Sequence, residues 1–534
     1  MAFSLSTLSP TTSILLSFIG IFAISLAAFW ASVEAETVSV NVTAGGINYE
    51  LEVYDASIAE ELKIKSHDFP SDFIFGAGTS AAQIEGSANE SGRGQSIWDN
   101  LLAKSKAPAA RKFPIAIDSY KRYKEDVKHV KDLGVKYYRF SISWGRILPN
   151  GTLSGGINQQ GIDHYNRLID ELIKNGIVPV VTILHFDFPQ ILEEKYGGYL
   201  SRSFVDDFKD YSEICFKTFG DRVKHWITIN EPKVIATYGY EKGWAPPQRC
   251  SLPDMKCPNG GNSSTEPYIV AHNLILAHAV VYKLYKQKYE LQGGVVGIAL
   301  NSNYYEPYNK SSEDKEAAKR LLDFHLGWYV EPLVYGDYPK IMRELVKERL
   351  PEFSENEKSL LKGSFDFIGM NYYVSSYAQN MKEPPSGILH HSVDSLANEL
   401  EQKNGLPLGY PVNGSYPQGM EKLLKFMKEK YQSPNIYISE NGAYEINVDK
   451  LPIEQALKDP HRITYVLRHL NAVRNAIKSG VNVKGYFYWS VFDSFEWGMG
   501  LIFRYGFYYI DFNNNLERIP KVSLKWFHDF LQSN

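Results

Sequence analysis

The chain has 534 residues, 44% of them hydrophobic and 22% charged, with a formal net charge of −4 at neutral pH. That composition fits a soluble globular protein with ample core, and the length suits either several domains or one large barrel. An acidic chain without a basic tract is a poor partner for nucleic acid or an anionic membrane surface.

At the N-terminus, residues 13–30 are almost wholly apolar, and Val33-Glu34-Ala35 then offers small residues of the kind a signal peptidase reads. Residues 1–35 are therefore expected to be a cleaved secretory signal, with a membrane anchor as the alternative. Residues 36–65 read as a polar, poorly structured leader, and residues 66–534 as the folded domain. Secretion agrees with six Asn-x-Ser/Thr sequons, at Asn41, Asn89, Asn150, Asn262, Asn309 and Asn413. It also agrees with Cys250 and Cys257, which bracket a Pro/Asn/Gly-rich loop and are expected to form a short-loop disulfide. The remaining cysteine, Cys215, falls in an amphipathic helical pattern and reads as a buried thiol. No Cys/His spacing suggests a metal site, and none is expected. The expected location is the secretory pathway, ending in the vacuole or the apoplast.

From there the chain alternates strands and helices. Strands are predicted at 73–77, 137–143, 178–184, 226–230, 295–300, 365–372, 436–439 and 483–489. Helices are predicted at 117–133, 161–175, 203–219, 267–289, near 315–329, 340–350, 419–431, 462–478 and 522–531. Over 161–175, for example, Ile162, Tyr165, Leu168, Ile169, Leu172 and Ile173 share one face, and Gly176 ends the pattern. Eight strands interleaved with helices predict an α/β fold, a single-domain (β/α)8 TIM barrel with extended loops at one mouth. The stretch 374–417 is too long and too polar for a simple connection, and reads as a binding wall at that mouth.

Two strands end alike. Ile436-Tyr437-Ile438-Ser439 runs into Glu440-Asn441-Gly442, and Trp226-Ile227-Thr228-Ile229 runs into Asn230-Glu231-Pro232. An acid at the exit of a buried strand is costly unless it is used or paired. In a barrel both would face the bowl at the strands' C-terminal ends. Two facing carboxylates suit glycoside cleavage: retaining if about 5–5.5 Å apart, inverting if about 6.5–9.5 Å apart.

The chain resembles the plant β-glucosidases of glycoside hydrolase family 1. The likeness runs from about Phe69 to the C-terminus. It rests on the stretch from Phe73 through Gln83, the stretch Tyr138-Arg139-Phe140-Ser141 to Gly151, Thr228-Ile229-Asn230-Glu231-Pro232, Ile438-Ser439-Glu440-Asn441-Gly442, and Trp489 with Phe495-Glu496-Trp497. The resemblance implies Glu231 as acid/base and Glu440 as nucleophile of a retaining double displacement, with no cofactor. It implies Arg139 and Tyr373 beside the nucleophile. Gln83, His185, Asn230, Glu496, Trp489, Trp497 and Tyr505 are implied to hold the sugar. Departures from the family pattern are Phe186, Ala82, Tyr304, Ser494 and Tyr505, together with a short basic segment between Asp99 and Asp118 that carries Lys104, Lys106, Arg111 and Lys112. They suggest a pocket reshaped for a specialised plant glycoside. The expected activity is hydrolysis of a β-glucoside, or of a short disaccharide glycoside, of a small aglycone. Alternatives are transfer of glucose to a small acceptor, and a catalytically silent sugar-binding barrel. Aglycone identity and assembly into a homo-oligomer are left open.

Overall fold

A computed structural model describes residues 38–533 apart from 45, 54–55, 253–254, 386–388, 410–414 and 448–450. The expected signal and Asn413 lie outside the described residues.

Eight parallel strands close into a barrel: β1 (Ile74–Gly78), β2 (Tyr137–Ser141), β3 (Val178–Leu184), β4 (His225–Asn230), β5 (Val295–Asn301), β6 (Phe367–Asn371), β7 (Ile436–Asn441) and β8 (Val483–Trp489). Each strand pairs with the next in chain order, and β8 returns to pair with β1. The eight-stranded fold expected from the alternation is thus the fold observed. Helices start and stop where local chemistry dictates. The Asn158 side chain accepts from the Gln160 amide and opens the helix Gln159–Lys174, and Gly176, at φ +76°, lets the chain turn out of it.

The barrel interior is graded along its axis. Ile74, Val180, Ile227, Ala299, Phe367 and Phe487 form an apolar plug, with Tyr137, Val295 and Tyr437 packed against it. Side chains on a strand alternate in direction, so the next inward position lies two residues further on. From Tyr137 that position is Arg139, from Val180 it is Thr182, from Tyr437 Ser439 and from Phe487 Trp489. The same alternation that fills the base with hydrophobes thus lays a polar floor above it. β4 and β7 carry register irregularities just before their glutamates, of the kind that re-aim side chains next to active sites.

Two expectations are corrected. The described residues between 38 and 65 are not a poorly structured leader: Val38–Ala44 and Ile47–Val53 pair as an antiparallel hairpin whose Val42, Tyr49 and Leu51 are buried. The hairpin packs on the helix Pro460–Lys478, and Tyr49 donates to Asp529 (2.6 Å) on the C-terminal helix. Its strict alternation over few residues was masked by the polar outer face. The helix expected near 315–329 is a longer, broken one: Ser312–Leu322, a π turn at Asp323–Gly327, then Trp328–Tyr335 with Pro332 inside. The 374–417 stretch, expected to be more than a simple connection, carries strands of its own. Its Ser375–Asn380 and Ala397–Leu400 join Tyr304–Pro307 in a three-stranded sheet.

Candidate active site

Glu440 sits at the C-terminal end of β7 and is 4% exposed. Both of its carboxylate oxygens are held: Arg139 Nη1 donates to Oε1 (2.5 Å) and the Tyr373 hydroxyl donates to Oε2 (2.7 Å). Arg139 comes from the polar floor of β2 and is 1% exposed. Its remaining donors go to Thr182 Oγ1 (3.1 Å), the Ser439 carbonyl (3.0 Å) and Asn230 Oδ1 (2.6 Å). A buried guanidinium with every direction committed is a rigid anchor for the carboxylate it faces. Gly442 follows because nothing larger fits: a Cβ there would lie 1.8 Å from the Trp489 carbonyl oxygen.

Glu231 follows β4 directly and holds φ +46°, left-handed backbone that a branched or bulky residue resists. Pro232 then starts the helix Pro232–Tyr240 at its first turn, where a missing N–H costs nothing. The Glu231 carboxyl accepts from Asn371 Nδ2 (2.9 Å). Burial, then the neighbouring Glu440 charge, raise its pKa to about 8, so it is protonated at neutral pH. The two glutamates expected to face one site do interact, and their environments differ: one has a cation and a phenol donating to it, the other an amide.

Around them lie the other expected residues. Asn230, besides receiving Arg139, places its Nδ2 3.3 Å from His185 Nε2. Burial and Arg139 keep the His185 ring neutral, with a pKa well below its ordinary value. That ring is stacked parallel to Trp489 (5.6 Å) and Trp497 (6.0 Å). Gln83 is fully buried and bonded to Ser80 (2.7 Å) and to the Phe495 carbonyl (3.0 Å). Glu496 accepts from Ser494 (2.9 Å), and burial raises its pKa to about 8. The Tyr505 ring packs edge-on against Tyr373 (5.9 Å). All the residues implied by the resemblance therefore gather at one end of the barrel.

Asn371 was not anticipated. It ends β6 and bonds Glu231, Asn230 Oδ1 (3.2 Å) and Ser439 (2.6 Å), tying together the strands that carry the two glutamates. The signal was present: a strand-end Asn, as at Asn230, two residues before Tyr373. The departures also take their places. Phe186 adopts φ +68° and sets its ring edge-on against Trp497 (5.1 Å), and Trp98, just before the basic segment, also packs on Trp497 (4.9 Å). Away from the site, Cys250 and Cys257 are disulfide-bonded (Cα–Cα 5.5 Å), and Cys215 is buried and unpaired.

The sequence model of glycosyl hydrolase family 1 matches residues 65–534. The furostanol glycoside 26-O-β-glucosidase of Hellenia speciosa is 51% identical over 89% of this chain and 85% of that protein. β-Glucosidase 24 of Oryza sativa subsp. japonica is 49% identical over 88% of this chain and 95% of that protein. Among solved structures, a mutant of rice Os3BGlu6 β-glucosidase in a covalent complex with Glc from GA4GE superposes with a TM-score of 0.85 at 44% identity, covering 88% of this chain and 99% of that one. The chain belongs to glycosyl hydrolase family 1, and is an O-glycosyl hydrolase, a retaining β-glucosidase.

Proposed function

We propose that the protein hydrolyses the β-glucoside of a small plant specialised metabolite by double displacement, with Glu440 as nucleophile and Glu231 as acid/base. The observation that carries this is the asymmetry of the pair. Glu440 has both oxygens engaged by Arg139 and Tyr373, and Glu231 holds its proton at neutral pH. In the first step Glu440 attacks the anomeric carbon while Glu231 passes its proton to the glycosidic oxygen, and the aglycone leaves as an alcohol. The glucosyl group is then bonded to Glu440, whose negative charge is gone. Because that charge is one cause of the raised Glu231 pKa, its loss lowers the pKa and readies Glu231 as a base. Glu231 next takes a proton from water as the water attacks, freeing β-glucose and restoring both carboxyls.

Gln83, His185, Asn230 and Glu496 supply polar groups for the sugar hydroxyls, Trp489 and Trp497 a flat apolar surface, and Tyr505 backs Tyr373. The name of the Hellenia relative, a furostanol glycosidase, supports an aglycone from specialised metabolism. Passage through the secretory pathway is supported by the disulfide and by the exposure of all five described sequon asparagines. No helix among the described residues is long and apolar enough to cross a membrane.

The test is incubation with p-nitrophenyl β-glucoside, following nitrophenol and free glucose together. Matched release, lost in Glu440→Gln, is the expected result. Nitrophenol in excess of glucose when an alcohol acceptor is present would redirect the reading to transfer, and release that survives in Glu440→Gln would remove Glu440 from the role.

A further inference from the structure

Lys233 is the second residue of the helix that begins after Glu231, and the mechanism above gives it no task. Lys233 is half-buried, and its one hydrogen-bond partner among the described residues is an imidazole, His325 Nδ1 at 3.0 Å. That imidazole is neutral: burial, then Lys233 itself, hold the His325 pKa well below its ordinary value. The Tyr305 hydroxyl shares the same ring nitrogen. Among the described residues no carboxylate lies within ion-pair distance, 4 Å, of Lys233. The acids whose fields reach it are engaged elsewhere. Glu399 accepts from Asn303 (2.8 Å) and Ser376 (2.9 Å), Glu241 accepts from Ser392 (2.6 Å) and lies 2.7 Å from His390 and 3.6 Å from His391, and Glu231 accepts from Asn371. A second cation, Lys242, stands over the Trp244 ring (4.7 Å) and the Tyr238 ring (5.3 Å) and adds to the same positive field.

A partly buried ammonium with no carboxylate in ion-pair contact is costly to hold. Burial lowers the Lys233 pKa to about 8, which still leaves it charged at neutral and acidic pH. The π turn at Asp323–Gly327 is what brings His325 to it, and such turns recur at functional sites. The charge also faces the right place. It acts on Glu231, the group that must touch the leaving oxygen, and on Glu399 of the sheet strand Ala397–Leu400. On the mechanism proposed, the leaving oxygen carries the aglycone, so a charge that acts on Glu231 is placed toward that part of the substrate.

An independent observation points the same way. The segment bearing Lys104, Lys106, Arg111 and Lys112 packs on the loop of Glu496 and Trp497, through Trp98 on Trp497 and Phe113 on Phe495 (5.0 Å). All four cations are exposed, and none is in an ion pair among the described residues. An otherwise acidic chain thus sets unpaired cations beside the mouth, an arrangement that draws anions inward.

We propose that Lys233 is a specificity-determining residue that receives a carboxylate on the aglycone, so that the preferred substrates are β-glucosides of acidic, carboxylate-bearing small molecules. The inference rests on the β-glucosidase reading and deepens it. The substrate's anion would complete the pairing that Lys233 lacks, within reach of the proton donor. The basic segment would raise the local concentration of such substrates.

The experiment uses the full mature protein and matched pairs of aryl β-glucosides: the ortho-, meta- and para-carboxyphenyl glucosides, each against its neutral carboxamide. The readout is the ratio of kcat/KM for acid over amide. For the best isomer wild type is expected to favour the acid by about tenfold or more, the range of a close charge pair out of water. Lys233→Met should bring the ratio to about one, Lys233→Arg should keep most of it, and added salt should shrink it. A wild-type ratio of one or below for all three isomers overturns the proposal without recourse to any variant. So does an unchanged ratio in a folded Lys233→Met protein whose pH profile alone has moved, which would assign Lys233 to setting the Glu231 pKa. If no neutral glucoside is cleaved at all, it is the β-glucosidase reading that fails, and the two failures are distinct.

Discussion

On the mechanism proposed, Glu231 gives a proton in one half-reaction and takes one back in the other, and the residues around it suit that reversal. Burial and the Glu440 charge keep the proton on; Asn371, Arg139 and Lys233 pull the other way. Removing the acid should therefore hurt each half in its own way. Glu231→Ala should slow cleavage of a poor leaving group by about 10²–10⁴, the usual worth of a positioned acid/base, and slow a dinitrophenyl glucoside far less, since that aglycone leaves unprotonated. Sodium azide should then restore turnover by attacking the stalled glucosyl-enzyme, releasing β-glucosyl azide of retained configuration. Formation of the α-azide, or no rescue at any concentration, would contradict a covalent intermediate on the opposite face. Asn371 offers a second test at this scale. Its amide is bonded to both catalytic strands, so Asn371→Ala should lower kcat for p-nitrophenyl β-glucoside by about tenfold or more, while a thermal melt reports whether the fold has kept its stability.

Elements decide where those residues stand, and the N-terminal hairpin is the element whose contribution can be isolated. Its Leu51 is wholly buried, and the hairpin packs on the helix Pro460–Lys478. Arg468 reaches from that helix to Glu61 (2.8 Å), and Arg474 to Asp68 (3.0 Å), fastening the chain that follows. Leu51→Ala should destabilise by about 2–5 kcal/mol if the hairpin unfolds with the barrel, with kcat/KM unchanged. A urea midpoint equal to that of wild type would show instead that the hairpin opens on its own before the barrel does. This element was also the least legible in the sequence, because seven-residue strands with a polar outer face resemble a polar leader. The barrel strands were legible because both of their faces are buried, so apolar runs such as Val178–Leu184 stand out and end at punctuating residues. Glu231 and Glu440 were legible because a lone acid after such a run has few structural excuses. Asn371 was not, since an Asn at a strand end is ordinary until its partners are seen. Lys233 was hidden for the same reason: only the π turn, which periodicity reads as plain helix, brings His325 to it. The wall sheet pairs Tyr304–Pro307 with strands some 70 residues later, and no local pattern encodes that.

At the scale of the whole molecule, two populations of buried groups set how stability varies with pH, and they oppose each other. Nine of the thirteen histidines have depressed pKa values, chiefly through burial, several of them to about 4. A histidine held neutral in the fold contributes stability that is complete above its unfolded pKa, near 6.5, and is lost as pH falls toward the folded value. Ten carboxyls go the other way through burial, four of them furthest: Asp187 and Glu193 rise to about 7, and Glu231 and Glu496 to about 8. A carboxyl held neutral contributes stability that is complete below its unfolded pKa, near 4.5, and is lost as pH rises through the folded value. Between about pH 5.5 and 6.5 the unfolded chain binds protons on its histidines that the fold, having lowered nine of them, resists binding. Over the same interval the fold keeps protons on the four carboxyls raised to about 7 or 8 that the unfolded chain has released; these are outnumbered by the histidines, so stability rises with pH there. Above about 6.5 the histidines are neutral in both states and the carboxyls alone act, so stability declines. Thermal unfolding followed from pH 5 to 8.5 should therefore peak near 6.5 and fall more steeply on the acid side. Two of the four carboxyls belong to the active site, which makes the alkaline decline a consequence of function. Glu231→Gln should raise the melting temperature at pH 8, where the wild-type fold must hold a proton or bury a second charge beside Glu440, and the gain should vanish near pH 5. A gain of equal size at both pH values would mean that the acid/base carboxyl is ionised in the free enzyme, and would take away the physical basis for its role as proton donor.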